Sequence, residues 1–169
     1  MMSSLRLPPF RLVHAAYVTH DIESGKRRLA DMFGVEEFWV YPEIEVEVPG
    51  GAAKIAFALA TSSGTALEVI KPTGGKDDVY RQELPDDPTD IAFHHFATRL
   101  ENEAEWQMVL DAAREHGLDI PVRGGGDSGT RYIYLDTRVQ LGHMLEFMLG
   151  FDEGTSDNAA VEVRHERIG

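Results

Sequence analysis

Cysteine is absent from this chain of 169 residues, which excludes disulfide bonds, thiolate metal sites and cysteine nucleophiles. The chain also lacks any run of about 20 apolar residues, the length that a membrane-spanning helix requires. Residues 1–10 include Pro8 and Pro9 and contain no apolar stretch long enough for a signal peptide. Together, these absences predict a protein of the cytoplasm that does not enter a membrane.

Basic residues are scarce. The chain has 16 lysines and arginines against 29 aspartates and glutamates, and its formal net charge is −13. No basic patch stands out, so we expect neither nucleic acid nor an anionic membrane surface as a partner. We expect a small-molecule substrate instead. A hydrophobic content of 43% is enough to form a core, and the length fits one domain or two half-domains that share a core.

One sequence element occurs twice, and most of the functional prediction depends on it. Glu68 and Glu146 each end a Gly-x-x-Leu-Glu motif that two apolar residues follow. His14 and His95, each followed by x-Ala, lie at nearly the same distance upstream of the two glutamates. Two imidazoles and two carboxylates form a ligand set for one divalent metal ion per chain, which suits Zn²⁺, Ni²⁺, Co²⁺, Mn²⁺ and Fe²⁺ alike.

The order of the predicted elements repeats as well. Each unit has an apolar strand with the histidine, a helix, and three further strands, the last of which carries the glutamate. Asp21 and Asn102 are the expected helix N-caps, and Gly34 and Gly117 end the helices. We predict an N-terminal extension, a first βαβββ module, a linker with a short helix, a second βαβββ module and a C-terminal tail at 1–11, 12–71, 72–90, 91–150 and 151–169.

These features predict an α+β fold in which two paired βαβββ modules form a cupped mixed sheet around a metal site. Alternation along each strand places small or apolar residues on the same face as each candidate ligand. Burying two carboxylates without a cation would be costly, and a divalent ion would remove that cost. The predicted strands lie at 12–19, 38–48, 54–59, 65–70, 91–98, 120–122, 131–135 and 144–149.

Several residues near the predicted site have simpler interpretations. Either strand histidine alone would most simply be a buried structural residue, but the matched glutamates favour metal binding. His94 is expected to point away from the face of His95 and to be structural. Arg99 shares the face of His95, and we favour a salt bridge at the strand end over contact with an anionic substrate. Tyr132 and Tyr134 share a face in one strand, and one of them could line the pocket.

The segments around these positions resemble the vicinal oxygen chelate superfamily, which includes glyoxalase I, methylmalonyl-CoA epimerase, extradiol dioxygenases and bleomycin-resistance proteins. The resemblance covers residues 12–150 and is carried by His14 to Val18, Ala66 to Pro72, His94 to Ala97 and Leu145 to Phe147. It implies an octahedral metal ion with one ligand from each of four strands and open positions for a substrate that chelates through two adjacent oxygens. The implied ligands are His14, Glu68, His95 and Glu146.

Glu68 distinguishes between members of this superfamily. Its dioxygenases hold iron with two histidines and one carboxylate, which would be His14, His95 and Glu146, and they need no ligand at position 68. A carboxylate at that position resembles glyoxalase I and the epimerase-like members, as do Lys71 to Pro72 and the doubled histidine.

The chain departs from the epimerase pattern at two places. The epimerase has a second acidic base where this chain has Gly50, and a His-Pro pair where this chain has Asp136 and Thr137. Both departures argue against methylmalonyl-CoA as the substrate. They leave metal-assisted proton transfer unaffected.

The leading hypothesis is a metal-dependent lyase or isomerase that acts by proton transfer on a small oxygenated carbonyl compound, with Glu146 or Glu68 as the general base. The second is an Fe(II) extradiol-type ring-cleaving dioxygenase. The third is a non-catalytic, drug-sequestering binding protein. We also expect a homodimer, because paired modules leave edge strands and members of the superfamily commonly dimerise.

Overall fold

The computed structural model describes residues 4–125, 130–150 and 162–169. Two units with the order β-α-β-β-β follow one another, which confirms the predicted α+β fold of paired modules. No helix in the described ranges is long and apolar enough to cross a membrane. The elements are β1 Leu12–Thr19, α1 Ile22–Phe33, β2 Glu37–Val48, β3 Gly51–Ser62, β4 Thr65–Gly75, α2 Asp78–Arg81, β5 Ile91–Leu100, α3 Glu103–His116, β6 Val122–Gly125, β7 Arg131–Leu135, α4 Arg138–Leu141, β8 Met144–Leu149 and β9 Arg164–Arg167.

The described strands form one mixed sheet, in the order β3-β4-β1-β5-β8-β7-β6-β2-β9. A further pairing joins β2 to β3, so the sheet closes into a barrel and goes beyond the cupped shape that the sequence predicts. The seam of this barrel is the β2–β6 pairing, whose register consists of Glu47 opposite Arg123. The histidine-bearing strands β1 and β5 are antiparallel neighbours, and each pairs in parallel with the glutamate-bearing strand of its own module.

The two long helices begin and end as the sequence predicts. Asp21 and Asn102 each accept a hydrogen bond from the backbone N–H three residues on, which satisfies one free donor of the first turn. Gly34 and Gly117 end the helices in the left-handed conformation, with φ of 66° and 62°. Both helices therefore have definite limits and pack their apolar faces on the outside of the sheet.

Buried apolar side chains form three clusters. Leu29 of α1 belongs to a cluster on one outer part of the sheet, and Val109 of α3 belongs to a second outer cluster. The third cluster draws on strands of both modules and fills part of the barrel interior. Tyr80, from the short helix of the linker, is fully buried in that interior cluster. The linker therefore supplies part of the core and is more than a connection.

The β1–β5 pair contains two irregularities that matter for the site. The register shifts at Val13, immediately before His14, and again at His94, immediately before His95. A bulge inserts one extra residue into a strand and interrupts the alternation of side chains between its two faces. The two modules therefore carry equivalent bulges, each directly before the histidine of interest.

The strand limits differ from the sequence-based expectations at several places. Strands β3 and β4 are longer than predicted, at Gly51–Ser62 and Thr65–Gly75 instead of 54–59 and 65–70. The strand predicted at 120–122 instead covers Val122–Gly125.

Most of the predicted C-terminal tail lies outside the described residues, but β9 near its end pairs with residues 37–40 of β2. Lys26 of α1, whose side chain is only 2% exposed, forms an ion pair with Glu166 of β9. The C-terminal strand was not predicted, because its short polar sequence has no apolar alternation.

Candidate metal centre

The four predicted ligands meet at one place in the barrel interior, and each comes from a different strand. These strands are neighbours in the barrel wall, in the order β4, β1, β5 and β8. His14, Glu68, His95 and Glu146 are 7%, 9%, 0% and 4% exposed. All four come from one chain. The repeated sequence unit therefore contributes one histidine and one glutamate from each half of the barrel.

The donor atoms of His14, Glu68 and His95 all lie within 4.8 Å of one another, and Glu146 contacts both histidines. Oε2 of Glu146 lies 3.0 Å from Nε2 of both His14 and His95. Oε2 of Glu68 lies 3.3 Å from Nε2 of His14 and 3.9 Å from that of His95. The two histidine nitrogens are 3.2 Å apart. Two donors that each lie about 2.1 Å from a shared ion are about 3.0–4.2 Å apart, depending on the angle between them, so this set fits a divalent metal.

The two carboxylates differ in their electrostatic surroundings. Burial raises the pKa of Glu68, and its histidine neighbours offset this only in part. Burial acts in the same direction on Glu146, but hydrogen bonds from His14 and His95 outweigh it and lower the pKa to about 2. For His14, burial is outweighed by the charge of Glu68 and the hydrogen bond to Glu146, which raise its pKa to about 9. Glu146 is therefore the more firmly held of the two carboxylates.

His94 does not point away from the site, so that prediction was wrong. Its ring stacks on Tyr80 with a centroid distance of 5.2 Å and lies 6.0 Å from Tyr134, inside the barrel. Its Nε2 is 2.9 Å from the carbonyl oxygen of Val79, and its Nδ1 is 2.8 Å from Nδ1 of His95. The bulge explains the error, because simple alternation cannot place two consecutive side chains on one face. Burial lowers the pKa of His94 to about 3, so the ring is neutral.

A cavity of about 1210 Å³ is open to the surface and is lined by three of the four residues, His14, Glu68 and Glu146. Tyr132 and Tyr134 both line it, where the sequence suggested one of them. Burial raises the pKa of both phenols, so their hydroxyl groups stay protonated. Tyr41 and Phe57, stacked with their centroids 4.3 Å apart, form part of another wall. Aromatic and aliphatic side chains thus form much of the cavity wall, with the charged residues of the cluster among them, as is common in small-molecule sites.

Four arginines line the same cavity although the chain is strongly acidic. Arg11 and Arg131 form ion pairs with glutamates in and next to α3. Arg99 is half-buried and forms no ion pair with any residue in the described ranges, so the favoured salt bridge is not found there. Arg123 is exposed at the opposite wall. A substrate with an anionic group would find complementary charge beside Arg99.

Three solved structures illustrate how the fold compares with known proteins. A methylmalonyl-CoA epimerase is 18% identical with a TM-score of 0.51, covering 87% of this chain and 100% of that one. The epimerase from Mycobacterium tuberculosis is 14% identical with a TM-score of 0.54, covering 84% and 89%. A variant of the Streptomyces coelicolor epimerase, in complex with 2-nitronate-propionyl-CoA, is 19% identical with a TM-score of 0.50, covering 83% and 96%. At these identities the similarity concerns the fold.

Comparison of the amino-acid sequence with family models identifies the family of this chain. No curated protein sequence matches the chain. The model of the Glyoxalase/Bleomycin resistance protein/Dioxygenase superfamily matches residues 13–134, well over half of the sequence. This match begins just before the first candidate ligand, His14, and includes every element from α1 to β6 and all but the last residue of β7. The protein is therefore a member of the glyoxalase/bleomycin resistance protein/dioxygenase superfamily.

Proposed function

We propose that the protein is a metal-dependent enzyme of the lyase or isomerase type, which moves a proton on a small oxygenated carbonyl substrate. The observation that carries this proposal is the convergence of two imidazoles and two carboxylates, with contacts of 3.0–3.9 Å, on the floor of an open cavity. The epimerase folds of the structural neighbours support proton transfer as the reaction class.

The four side chains that would hold the ion are His14, Glu68, His95 and Glu146. Two nitrogen and two oxygen donors suit Zn²⁺, Ni²⁺, Co²⁺, Mn²⁺ or Fe²⁺. Such an ion, when bound, supplies Lewis acidity that polarises a substrate carbonyl. Because two carboxylates are buried at this point, a divalent charge would also reduce the cost of desolvating them.

Glu68 is the better candidate for the group that moves the proton. Its carboxylate oxygen makes longer contacts, 3.3 Å and 3.9 Å, whereas that of Glu146 lies 3.0 Å from both histidines. A carboxylate that is less tightly held can turn toward a substrate atom with less loss of stabilising contacts. Glu146, which bridges the two histidines, would keep their rings in place. Both glutamates line the cavity and so can reach a bound substrate.

The walls of the cavity restrict the substrate. Tyr132 and Tyr134 would cover the apolar part of a small molecule and exclude water from the reacting atoms. Arg99, on the face of His95, would bind an anionic group of the same molecule. We therefore propose a carbonyl substrate that also carries a carboxylate or phosphate. Gly50 and Asp136, which replace residue types of the methylmalonyl-CoA epimerase pattern, argue against methylmalonyl-CoA itself.

Metal content tests the site directly. Elemental analysis of protein purified without added metal should find about one divalent ion per chain, and His14→Ala or His95→Ala should lose most of it, because each removes a ligand. His20→Ala is the control, since His20 is exposed and hydrogen-bonded to the carbonyl of Pro85. Full metal retention in the double variant of His14 and His95 would exclude this metal site.

Reaction class needs a second measurement. Incubation of the metal-loaded protein with anionic carbonyl compounds in D₂O should give deuterium incorporation next to a carbonyl, which mass spectrometry detects. Incorporation that is equal in wild-type protein and in the Glu68→Gln variant would contradict the assignment of Glu68. Tight binding of a compound without any turnover would instead identify the protein as a binding protein.

A ring-cleaving dioxygenase remains the second candidate, and one observation favours it. Glu146 and the two histidines make mutual contacts of 3.0–3.2 Å without the participation of Glu68, which matches a two-histidine, one-carboxylate iron site. Iron-dependent oxygen uptake on catechols that survives Glu68→Ala would establish this reaction and rule out the first one.

A homodimer stays a prediction. The four candidate ligands come from a single chain, so the centre does not need a partner to be complete. Light scattering should report a mass of two chains, and a monomer at every practical concentration would contradict the prediction.

A further inference from the structure

The second ring nitrogen of His95 has an unusual neighbour. Nε2 of His95 faces the candidate ligands, and its Nδ1 lies 2.8 Å from Nδ1 of His94. The other nitrogen of His94 lies 2.9 Å from the carbonyl oxygen of Val79, in the short linker helix. His95 and His94 are 0% and 2% exposed, so water does not compete for these contacts.

The positions of the protons follow from these contacts. A carbonyl oxygen can only accept, so Nε2 of His94 must carry a hydrogen and donate it to Val79. A neutral His94 then has a bare lone pair on Nδ1. Two facing nitrogens at 2.8 Å share one hydrogen, so that hydrogen belongs to Nδ1 of His95. With this hydrogen on Nδ1, Nε2 is the nitrogen of His95 that is left to bind a metal ion, at the place where it donates to Glu146 in the metal-free protein.

We propose that His94 is a positioning residue: the backbone carbonyl of Val79 sets its tautomer, and His94 in turn sets the tautomer and ring orientation of the ligand His95. The inference rests on the metal site proposed above. Ligating histidines commonly donate their second N–H to a carboxylate or a backbone carbonyl. Here a second histidine takes that place and relays the effect of a carbonyl from a different part of the chain.

The equivalent position in the first module shows that the fold alone does not demand this arrangement. Val13 occupies the bulge before His14, as His94 occupies the bulge before His95. Valine has no nitrogen, and His14 has no comparable support on its second nitrogen in the described part of the chain. A histidine kept only to fill space beside Tyr80 would not need both of its nitrogens placed within 2.9 Å of polar atoms.

Two amide variants separate positioning from packing. In His94→Asn the side-chain oxygen can occupy the place of Nδ1 and accept from His95, although the contact with Val79 is lost. In His94→Gln the amide reaches the place of Nε2 and keeps the contact with Val79, but it leaves Nδ1 of His95 without an acceptor. A role in packing alone would affect both variants alike, because both replace the ring that stacks on Tyr80.

The measurement is Zn²⁺ affinity by competition with a chromophoric chelator, on wild type and both variants of the full chain. His94→Gln should bind Zn²⁺ about 10- to 100-fold more weakly, the usual effect of losing a partner of a ligating histidine. His94→Asn should retain the wild-type affinity. Equal affinities of wild type and His94→Gln, or equal losses in the two variants, would overturn the proposal.

Ring nitrogen NMR of the metal-free protein gives a second readout. In the wild type we expect a hydrogen on Nε2 and a bare Nδ1 for His94, and a hydrogen on Nδ1 of His95. A hydrogen on Nδ1 of His94 would overturn the inference whether or not metal binds. Wild-type protein that shows the expected tautomers but binds no Zn²⁺ would contradict the metal site alone, so the two failures can be told apart.

Discussion

The two halves of the barrel start from the same sequence unit and end with different surroundings for equivalent residues. In the second half, His95 is fully buried and backed by His94, and Glu146 contacts both histidines at 3.0 Å. In the first half, His14 follows a valine, and Glu68 makes longer contacts. The second half therefore makes the shorter contacts at the centre, whereas Glu68 of the first half is the less tightly held carboxylate.

Under the proposed function, this difference would let a duplicated unit divide two tasks. A proton-transfer site needs ligands that stay in place and a base that changes its contacts during the reaction. Environments that push the pKa values of two carboxylates apart are a common sign of such a division. Burial raises the pKa of Glu68, whereas the histidines lower that of Glu146 to about 2.

The largest expected effect, on the rate of proton transfer, comes from replacing each of the two glutamates by glutamine in separate variants. Glu68→Gln should lower the proton-transfer rate by on the order of 10²–10⁴-fold, the usual contribution of a positioned acid–base group, with a smaller change in metal content. Glu146→Gln should release metal more readily, because Glu146 contacts both histidines. Elemental analysis and deuterium incorporation on both variants make the comparison.

The reverse pattern would contradict the division of roles. If Glu146→Gln abolished deuterium incorporation while metal stayed bound, and Glu68→Gln lost the metal, then the base would lie in the second half. Equal effects in both variants would show that the halves are functionally symmetrical.

A second difference is that a C-terminal strand supports only the first half in the described structure. β9 pairs with β2, and Glu166 reaches the buried Lys26 of α1. Glu166→Gln should lower the free energy of unfolding by about 1.5 kcal/mol, the lower end for a hydrogen bond to a charged group, because Lys26 keeps its contact with Glu23. Urea denaturation measures this change.

Glu37→Gln is the matched control for that experiment. Glu37 and His165 also join β2 to β9, but their side chains are 53% and 51% exposed. Exposed pairs contribute little, so we expect almost no change. A loss in the control that equals the loss in Glu166→Gln would mean that any charge between the two strands has the same effect.

The smallest expected effect concerns the two helix caps. Asp21→Ala and Asn102→Ala should each cost about 1 kcal/mol near neutral pH. Hydrogen bonds from Ser24 lower the pKa of Asp21 from its ordinary value of 3.8. The extra stability from ionised Asp21 is therefore present above that value and is lost as pH falls through the lower folded pKa.

Asn102 does not titrate, so the two caps should respond differently to acid. Urea denaturation at about pH 7 and about pH 3 should show a smaller cost of Asp21→Ala at the lower pH and an unchanged cost of Asn102→Ala. Costs that change in parallel would show that the acid dependence arises elsewhere in the chain.

Much of the fold was predictable because the repeat is encoded locally. Strand alternation, the caps at Asp21 and Asn102, and the stop at Gly34 and Gly117 all depend on residues that are close in sequence. The four side chains at the candidate centre were singled out by the same repeat, and the structure brings them together.

The missed features depend on contacts between distant residues or on broken periodicity. A bulge is invisible to a two-residue alternation, so the inward position of His94 was missed. The insertion of Tyr80 into the core and the pairing of β9 depend on where a linker and a tail pack after the sheet has formed. The doubled histidine at 94 and 95 was the one local signal for the bulge.

The seam of the barrel has a consequence for motion. The seam pairs Glu47 with Arg123 and, like the β1–β5 pairing, joins residues that are far apart in sequence, so its closure has a cost in chain entropy that the hairpins within each half do not have. Because β2 and β6 are paired at only one residue position, we expect the seam to open more often than the β1–β5 pairing. Its amide hydrogens should therefore exchange with solvent before those of β1 and β5. Because Glu47 and Arg123 both line the cavity, this opening would widen the path by which a substrate enters.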